Sequence, residues 1–211
     1  SLMTYGYDPD LSSKSTFHGG YYAVIESIAK IVALGGDYRK IRLTFQEYFE
    51  RLGEDPIKWG KPFSSLLGAF LVQKNLDIPS IGGKDSMSGS FEDLHVPPSL
   101  ISFAVSYDKV ANIISKEFKE VDSNIVSINL DYDEDGLIDF NQLKKNYGRI
   151  KDLADRKEIL ASSSVGFGGI GKCLGVMSLG NMIGCKIEDS QVENLYKPLY
   201  GTIILEISGE K

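Results

Sequence analysis

Cysteine and histidine are scarce, with two of each in 211 residues. Cys173 and Cys185 are too few for a disulfide framework, and both lie among apolar and small residues, so they read as buried, reduced thiols. His18 and His95 stand alone, which leaves no zinc pattern. No stretch approaches the roughly 18 uninterrupted apolar residues of a membrane span. There is no run of Lys or Arg, and the net charge of −6 argues against a nucleic-acid surface. No charged segment followed by an apolar core opens the chain, so the expectation is a cytoplasmic protein without a signal peptide.

What is present is enough apolar sequence, 42% against 25% charged, for one domain with a sizeable core or two small ones. Residues 1–20 read as polar and irregular. Residues 21–34, "YYAVIESIAKIVAL", form a helix pattern with almost no polar face, stopped by Gly35 and Gly36, and a helix apolar nearly all round is buried. "KIRLTFQEYF" reads as a strand, "GEDPIKWGKP" as a loop with two prolines, and residues 63–76 as a second apolar helix. A short strand then runs into a Gly/Ser-rich loop, "GGKDSMSGSF", and "SLISFAVSY" is a strong strand.

The texture changes near Asp108. A charged amphipathic stretch is followed by a strand, an acidic turn, a long polar helix, a second Gly/Ser-rich loop "ASSSVGFGGIG", a Gly-rich apolar helix and a final strand at residues 200–208. Helices and strands in this irregular order imply an α+β layered fold, with a domain boundary dividing residues 1–107 from 108–211.

Asp131, Asp133, Asp135, Gly136 and Asp139 have the spacing of a calcium loop, but the twelfth position is Gln142, which supplies no bidentate carboxylate. The preceding residues alternate as a strand rather than a helix. An acidic strand-to-helix turn, with Asp139 or Asn141 as helix cap, accounts for the segment better than a calcium-binding module.

Two Gly-rich segments are candidate anion sites. In Gly82–Ser86, "GGKDS", glycine lets the backbone approach an anion. Lys84 brings positive charge, Asp85 can hold a metal, and Ser86 can donate a hydrogen bond. The spacing is not that of a P-loop, and such a loop by itself is a structural turn more often than a site. The segment from Ser162 to Gly171 enters a helix but carries no charge. Glu26 and Lys30, the only charges in the first apolar helix, stand one turn apart in the favourable order.

"PSIGGKDSMSGSF" followed by "VPPSLISFAV" resembles the synthetase core of phosphoribosylformylglycinamidine synthase, within the aminoimidazole-ribonucleotide-synthetase-like superfamily. The resemblance spans nearly the whole chain. It implies tandem N-terminal-type and C-terminal-type synthetase domains, both incomplete, in residues 1–107 and 108–211. It implies a piece of an ATP-dependent, magnesium-requiring carbon–nitrogen ligase that takes its amide nitrogen from glutamine. The fragment alone would be inactive, would hold no certain cofactor and would self-associate. Its partners would be the remaining domains of the parent chain, including a glutaminase domain, with no nucleic acid and no membrane. A non-catalytic, pseudo-symmetric structural half is the alternative. The resemblance carries nucleotide and substrate binding to Gly82, Gly83, Lys84, Asp85 and Ser86. It implies a degenerate auxiliary metal site at Glu26, Lys30, Ser164 and Gly166: Lys30 replaces a ligand Asn, Ser164 replaces a ligand Asp, and Glu26 is left to pair with Lys30.

Overall fold

The computed structural model describes residues 1–188 and 194–209, which fall into two compact units. The first takes in Ser1, Met3–Ile28 and Arg39–Ser106, and the second Leu2, Ala29–Tyr38 and the chain from Tyr107 onward.

In the first unit the opening residues are ordered, contrary to their polar reading. They form β1 (Leu2–Gly6) and α1 (Pro9–Lys14), and α2 (Thr16–Ala33) begins five residues before its apolar stretch. Asp8 makes this possible, because its carboxylate caps α1 by accepting from Asp10 and Leu11 N–H at 2.9 and 3.0 Å. The apolar body of α2 is buried as its pattern requires, with Tyr21, Val24, Ile25 and Ile28 fully covered.

β2 (Arg42–Tyr48) follows, and then α3 (Pro56–Leu76), which starts well before residue 63. The two prolines do not make a loop. Pro56 sits in the first turn, where its missing N–H costs nothing, and Asp55 caps that turn by accepting from Ile57 N–H at 2.9 Å. Only Pro62 lies inside the helix. A Cβ on Gly20 would fall 2.1 Å from the Ser65 carbonyl oxygen and one on Gly68 2.1 Å from that of Phe17. The α2–α3 crossing therefore requires backbone-to-backbone contact at both glycines.

β3 (Ser80–Lys84), a small β4–β5 hairpin (Ser90–Phe91 and Leu94–His95) and β6 (Ser99–Ser106) complete the unit. The main sheet has the order β1-β6-β2-β3, with β2 antiparallel to β6 and parallel to β3. Gly82, Gly83 and Lys84 thus belong to an edge strand rather than to a loop. Leu43, Phe45, Leu100 and Ala104 are buried, while Met3, Tyr5, Phe103 and Val105 are exposed, as alternation on a half-covered sheet dictates.

The second unit holds β7 (Asn124–Ile128), α4 (Phe140–Asp155), β8 (Ala161–Ser164), α5 (Gly169–Leu179) and β9 (Ile203–Ile207). Its sheet has β9 between β7 and β8, antiparallel to both. Ala161–Ser164, read from sequence as loop, is a strand because it completes that sheet. Phe118, Ala161, Val165, Cys173, Leu174, Met177 and Ile204 form the core. Cys173 is buried as expected, and burial raises its thiol pKa, whereas Cys185 is only half-buried; both are free thiols. Among the described residues no helix is long and apolar enough to cross a membrane.

Candidate functional site

The hydrogen bonds of β2 and β3 do not stop where the strands do. Ser86 N–H donates to the Glu47 carbonyl at 3.1 Å, and Phe49 N–H donates to the Ser86 carbonyl at 2.9 Å. This continues the parallel ladder, in which Gly82, Gly83 and Lys84 lie opposite Thr44, Phe45 and Gln46. Asp85 thereby falls beside Glu47, and Ser86 beside Tyr48. In a parallel ladder alternate residues bond to the neighbour, so with Ser86 bonded inward the N–H groups of Gly83 and Asp85 point off the free edge of the sheet. Gly83 also serves packing, because a Cβ there would stand 3.1 Å from the Phe45 carbonyl oxygen.

The segment beyond is tied to the end of β2. Ser86 and Ser88 hydroxyls lie 2.9 Å apart, Gly89 N–H donates to the Phe49 carbonyl at 2.9 Å, and Ser90 Oγ accepts from Arg51 N–H at 2.9 Å. His95 Nδ1 lies 2.9 Å from Ser90 Oγ, which gives that histidine a structural role. Lys84 is exposed, and among the described residues its ammonium enters no hydrogen bond or ion pair. The five predicted residues are thus brought together on one exposed edge, with a free cation, a hydroxyl and two outward amides.

Sequence reading missed two acidic residues here. Glu50 lies between the two residues anchored to the loop. It bonds to Lys61 and, at 3.0 Å, to Lys58, and these ammonium groups hold its pKa down at about 2. The second is Glu47, only 6% exposed, whose Oε1 is buried without a hydrogen-bond partner. Burial, and next the charge of Asp85, push its pKa up to about 7. The signal was available: Glu47 continues the Leu43, Phe45 phase of an alternating strand and so had to point into the core. The Lys58–Lys61 spacing was hidden by reading those residues as loop.

The auxiliary-site residues divide between the units. Glu26 is in the first, half-buried on α2, where its carboxylate accepts from Tyr7 N–H at 3.0 Å. Lys30, Ser164 and Gly166 are in the second. Ser164 ends β8 opposite Ile203, and Gly166 begins the turn into α5, its carbonyl accepting from Gly169 N–H at 3.0 Å. The amino end of α5 is partly committed to the protein itself, since Gly171 N–H donates to the Leu195 carbonyl at 2.7 Å.

In the acidic turn the carboxylates of Asp133 and Asp139 are spent on the backbone. Asp133 Oδ1 accepts from Asp135 and Leu137 N–H, at 3.0 and 2.8 Å. Asp139 caps α4 by accepting from Asn141 N–H at 2.8 Å. Gln142 closes the turn itself: its Oε1 accepts from Asp131 N–H at 2.7 Å and its Nε2 donates to Asp131 Oδ2 at 3.0 Å.

No family model matches the chain. The PurL subunit of phosphoribosylformylglycinamidine synthase from Methanobrevibacter smithii is 24% identical, over 93% of this chain and 31% of that protein. Among solved structures, Thermotoga maritima PurL complexed with FGAR superposes with a TM-score of 0.77 at 12% identity, covering 99% of this chain and 38% of that one. The same protein complexed with ATP gives 0.72 at 12% identity, covering 99% and 36%. Thiamine monophosphate kinase from Aquifex aeolicus gives 0.63 at 10% identity, covering 100% and 78%. The fold is therefore aminoimidazole-ribonucleotide-synthetase-like, a mixed arrangement of helices and sheets. Within that class the chain is similar to PurL along almost its whole length, and it spans about a third of the PurL proteins it matches.

Proposed function

We propose that this chain is part of the synthetase core of an ATP-dependent carbon–nitrogen ligase, the enzyme that converts formylglycinamide ribonucleotide, glutamine and ATP to formylglycinamidine ribonucleotide in purine biosynthesis. The observation that carries the reading is the edge strand ending in Lys84 and Ser86. It presents an uncommitted ammonium, a hydroxyl and the outward N–H groups of Gly83 and Asp85, the chemistry that holds phosphate oxygens. The solved PurL complexes with ATP and FGAR support the ligand class. In the reaction ATP would phosphorylate the amide oxygen, ammonia from glutamine would add to that carbon, and phosphate would leave. The chain's own contribution would be to position and neutralise phosphate. Magnesium would supply further positive charge, with Asp85 as the exposed carboxylate suited to it. Residues 1–107 would be the N-terminal-type domain and 108–211 the C-terminal-type domain. The missing parts of the parent, including a glutaminase, would be the partners, and the chain alone would be inactive.

A non-catalytic structural half is the second reading. It is favoured by the uncovered apolar surface of the first unit: Trp59, Phe63, Leu67 and Phe70 along α3, and Tyr5 and Phe103 on the open sheet face. Such surface would also make the isolated chain self-associate, as sedimentation would show. In this reading Glu26 is balanced by Lys30 and no magnesium is bound at α2.

Calorimetric titration with ATP and magnesium separates the two readings. Binding that is weakened at least about tenfold by Lys84→Ala, with unchanged melting temperature, supports the ligase reading. Absence of nucleotide binding, or a large stability loss in Lys84→Ala, leaves the structural half.

A further inference from the structure

The sheet of the second unit has two edges, and only one of them is satisfied. The bond from Val165 N–H to the Thr202 carbonyl fixes the phase of the antiparallel ladder. Thr202, Ile204 and Glu206 bond towards β8, and Ile203, Leu205 and Ile207 bond towards β7. On β8 the outward residue Ser162 has a partner, its N–H donating to the Ser115 carbonyl at 3.2 Å. On β7 the outward residues are Ile125 and Ser127, and among the described residues their N–H and C=O groups have none. Nothing blunts this edge. β7 carries no charge and no proline, and its register with β9 is unbroken.

The free edge lines an open cleft of about 1060 Å³, and residues 183–188 line the same cleft. That segment has the side-chain alternation of a strand without being paired as one. Ile183, Cys185 and Ile187 are half-buried against the core of the unit, whereas Gly184, Lys186 and Glu188 are exposed. Among the described residues none of its backbone groups is hydrogen-bonded. The cleft thus holds two sets of unpaired main-chain donors and acceptors, and Ile170, Leu174 and Leu199 add apolar lining. Its rim is acidic, with Glu120, Asp122 and Glu188 offset only by Lys186. We propose that this cleft receives an extended segment of another polypeptide, which adds to β7 as a further strand and bonds to residues 183–188 as well. Main-chain bonds supply the affinity, and alternate side chains meet the apolar lining. The acidic rim selects the occupant: it is apolar at alternate positions and flanked by Lys or Arg. A second copy of this chain has the wrong charge, since it brings the same rim and a net charge of −6. The inference is independent of the ligase reading.

The test adds a blocked peptide, Lys-Lys-Thr-Val-Thr-Val-Thr-Lys-Lys, to the full chain and follows amide hydrogen exchange and affinity. In the free chain the Ile125 and Ser127 amides should exchange rapidly. With peptide they should gain protection, together with amides among residues 183–188. Replacing the flanking lysines of the peptide by glutamates should weaken binding at least about tenfold, and so should Glu120→Gln combined with Asp122→Asn. Ser127→Pro removes an outward N–H while leaving the bonds of Val126 and Ile128 to β9, and it should abolish the protection at Ile125. The rim variant decides the matter if Ser127→Pro does not fold. No protection on β7 at about 1 mM peptide would overturn the inference. So would Ile125 and Ser127 amides already protected in the free chain, because the chain would then close the cleft itself. Equal binding of the lysine and glutamate peptides would also overturn it. If Ser127→Pro converts a dimer into a monomer in sedimentation, the occupant is a second copy and the proposal falls.

Discussion

Lys151 places its ammonium 2.6 Å from Asp108 Oδ2 inside the second unit, with both side chains about nine-tenths covered. The same nitrogen donates to the Gly35 carbonyl at 3.0 Å and to Asp155 at 2.8 Å. One side chain on α4 thus clamps the turn after α2, the segment at Asp108, and its own helix. Burial raises the Asp108 pKa, but bonds from Lys151, Asn112 and the Lys109 N–H outweigh it and hold the carboxyl at about 2.

Lys151→Met should therefore destabilise the protein by about 3–5 kcal/mol, since it strands Asp108 without its cation. Acid unfolding gives a second readout. A carboxylate with a depressed pKa contributes stability that is present above its ordinary value near 3.8 and is lost as pH falls through about 2. Urea titrations should show wild-type stability declining over that window. Lys151→Met should lack the share of the decline that Asp108 contributes, while Glu50 keeps its own, and an equal slope in both proteins would contradict the assignment.

The α2–α3 crossing yields a paired prediction on a single helix. Gly68→Ala drives a methyl to 2.1 Å from a backbone oxygen, which can relax only by parting the helices, and should cost at least about 1–3 kcal/mol. Gly60 lies on the same helix, and a Cβ added there would meet nothing within 4 Å. Gly60→Ala should stabilise by about 0.5–1 kcal/mol through helix propensity alone. Denaturant midpoints of the two variants should move in opposite directions.

These contacts show which features sequence could reveal. The buried body of α2, the strands β2 and β6 and the apolar part of α3 were legible because their apolar periodicity is strong. The start of α3 was not, since Pro56 and Pro62 mark a loop unless Asp55 is seen as a cap. β8 was hidden because "ASSS" has no apolar pattern and becomes a strand only by pairing with β9. At the candidate site, the residue types of Gly82–Ser86 were legible from motif alone. That Asp85 stands beside Glu47 depends on strand register, which is set by a partner some 40 residues away and is invisible locally.

The acidic turn should not bind calcium with sensor affinity. The first and third positions of the loop are engaged, Asp131 by the Gln142 amide and Asp133 by two backbone N–H groups. The twelfth position has no carboxylate to offer. Calorimetry should detect no site near micromolar. Gln142→Ala should instead loosen the turn, read as faster exchange of the Asp131 amide. A micromolar calcium site abolished by Asp131→Ala would reverse this reading.

Glu206 presents the sharpest case of a carboxylate used as a structural acceptor. It sits at the centre of the second sheet, opposite Ile125 on β7 and Ala161 on β8, and is fully buried. Its two oxygens accept from Lys119 N–H at 2.8 Å, Glu120 N–H at 3.0 Å and the Ser123 hydroxyl at 2.8 Å. The segment leading into β7 is therefore organised around this side chain by neutral donors, and among the described residues no cation is hydrogen-bonded to it. Glu206→Gln preserves shape but replaces one acceptor oxygen with an NH2 group. That group must face either the Lys119 N–H or the Glu120 N–H and Ser123 hydroxyl, donor against donor, and one or more buried groups lose their partner. Such a group costs about 1–3 kcal/mol, and more where the lost bond was to a charge. Glu206→Gln should accordingly cost at least about 2 kcal/mol in a denaturant titration. The damage should be local before it is global: the Lys119 and Glu120 amides should lose exchange protection, while the Tyr147 hydroxyl bond to the Gly201 carbonyl keeps α4 in place. If the Gln variant matched the wild type in stability and in protection of those two amides, the segment would have to be held by other contacts.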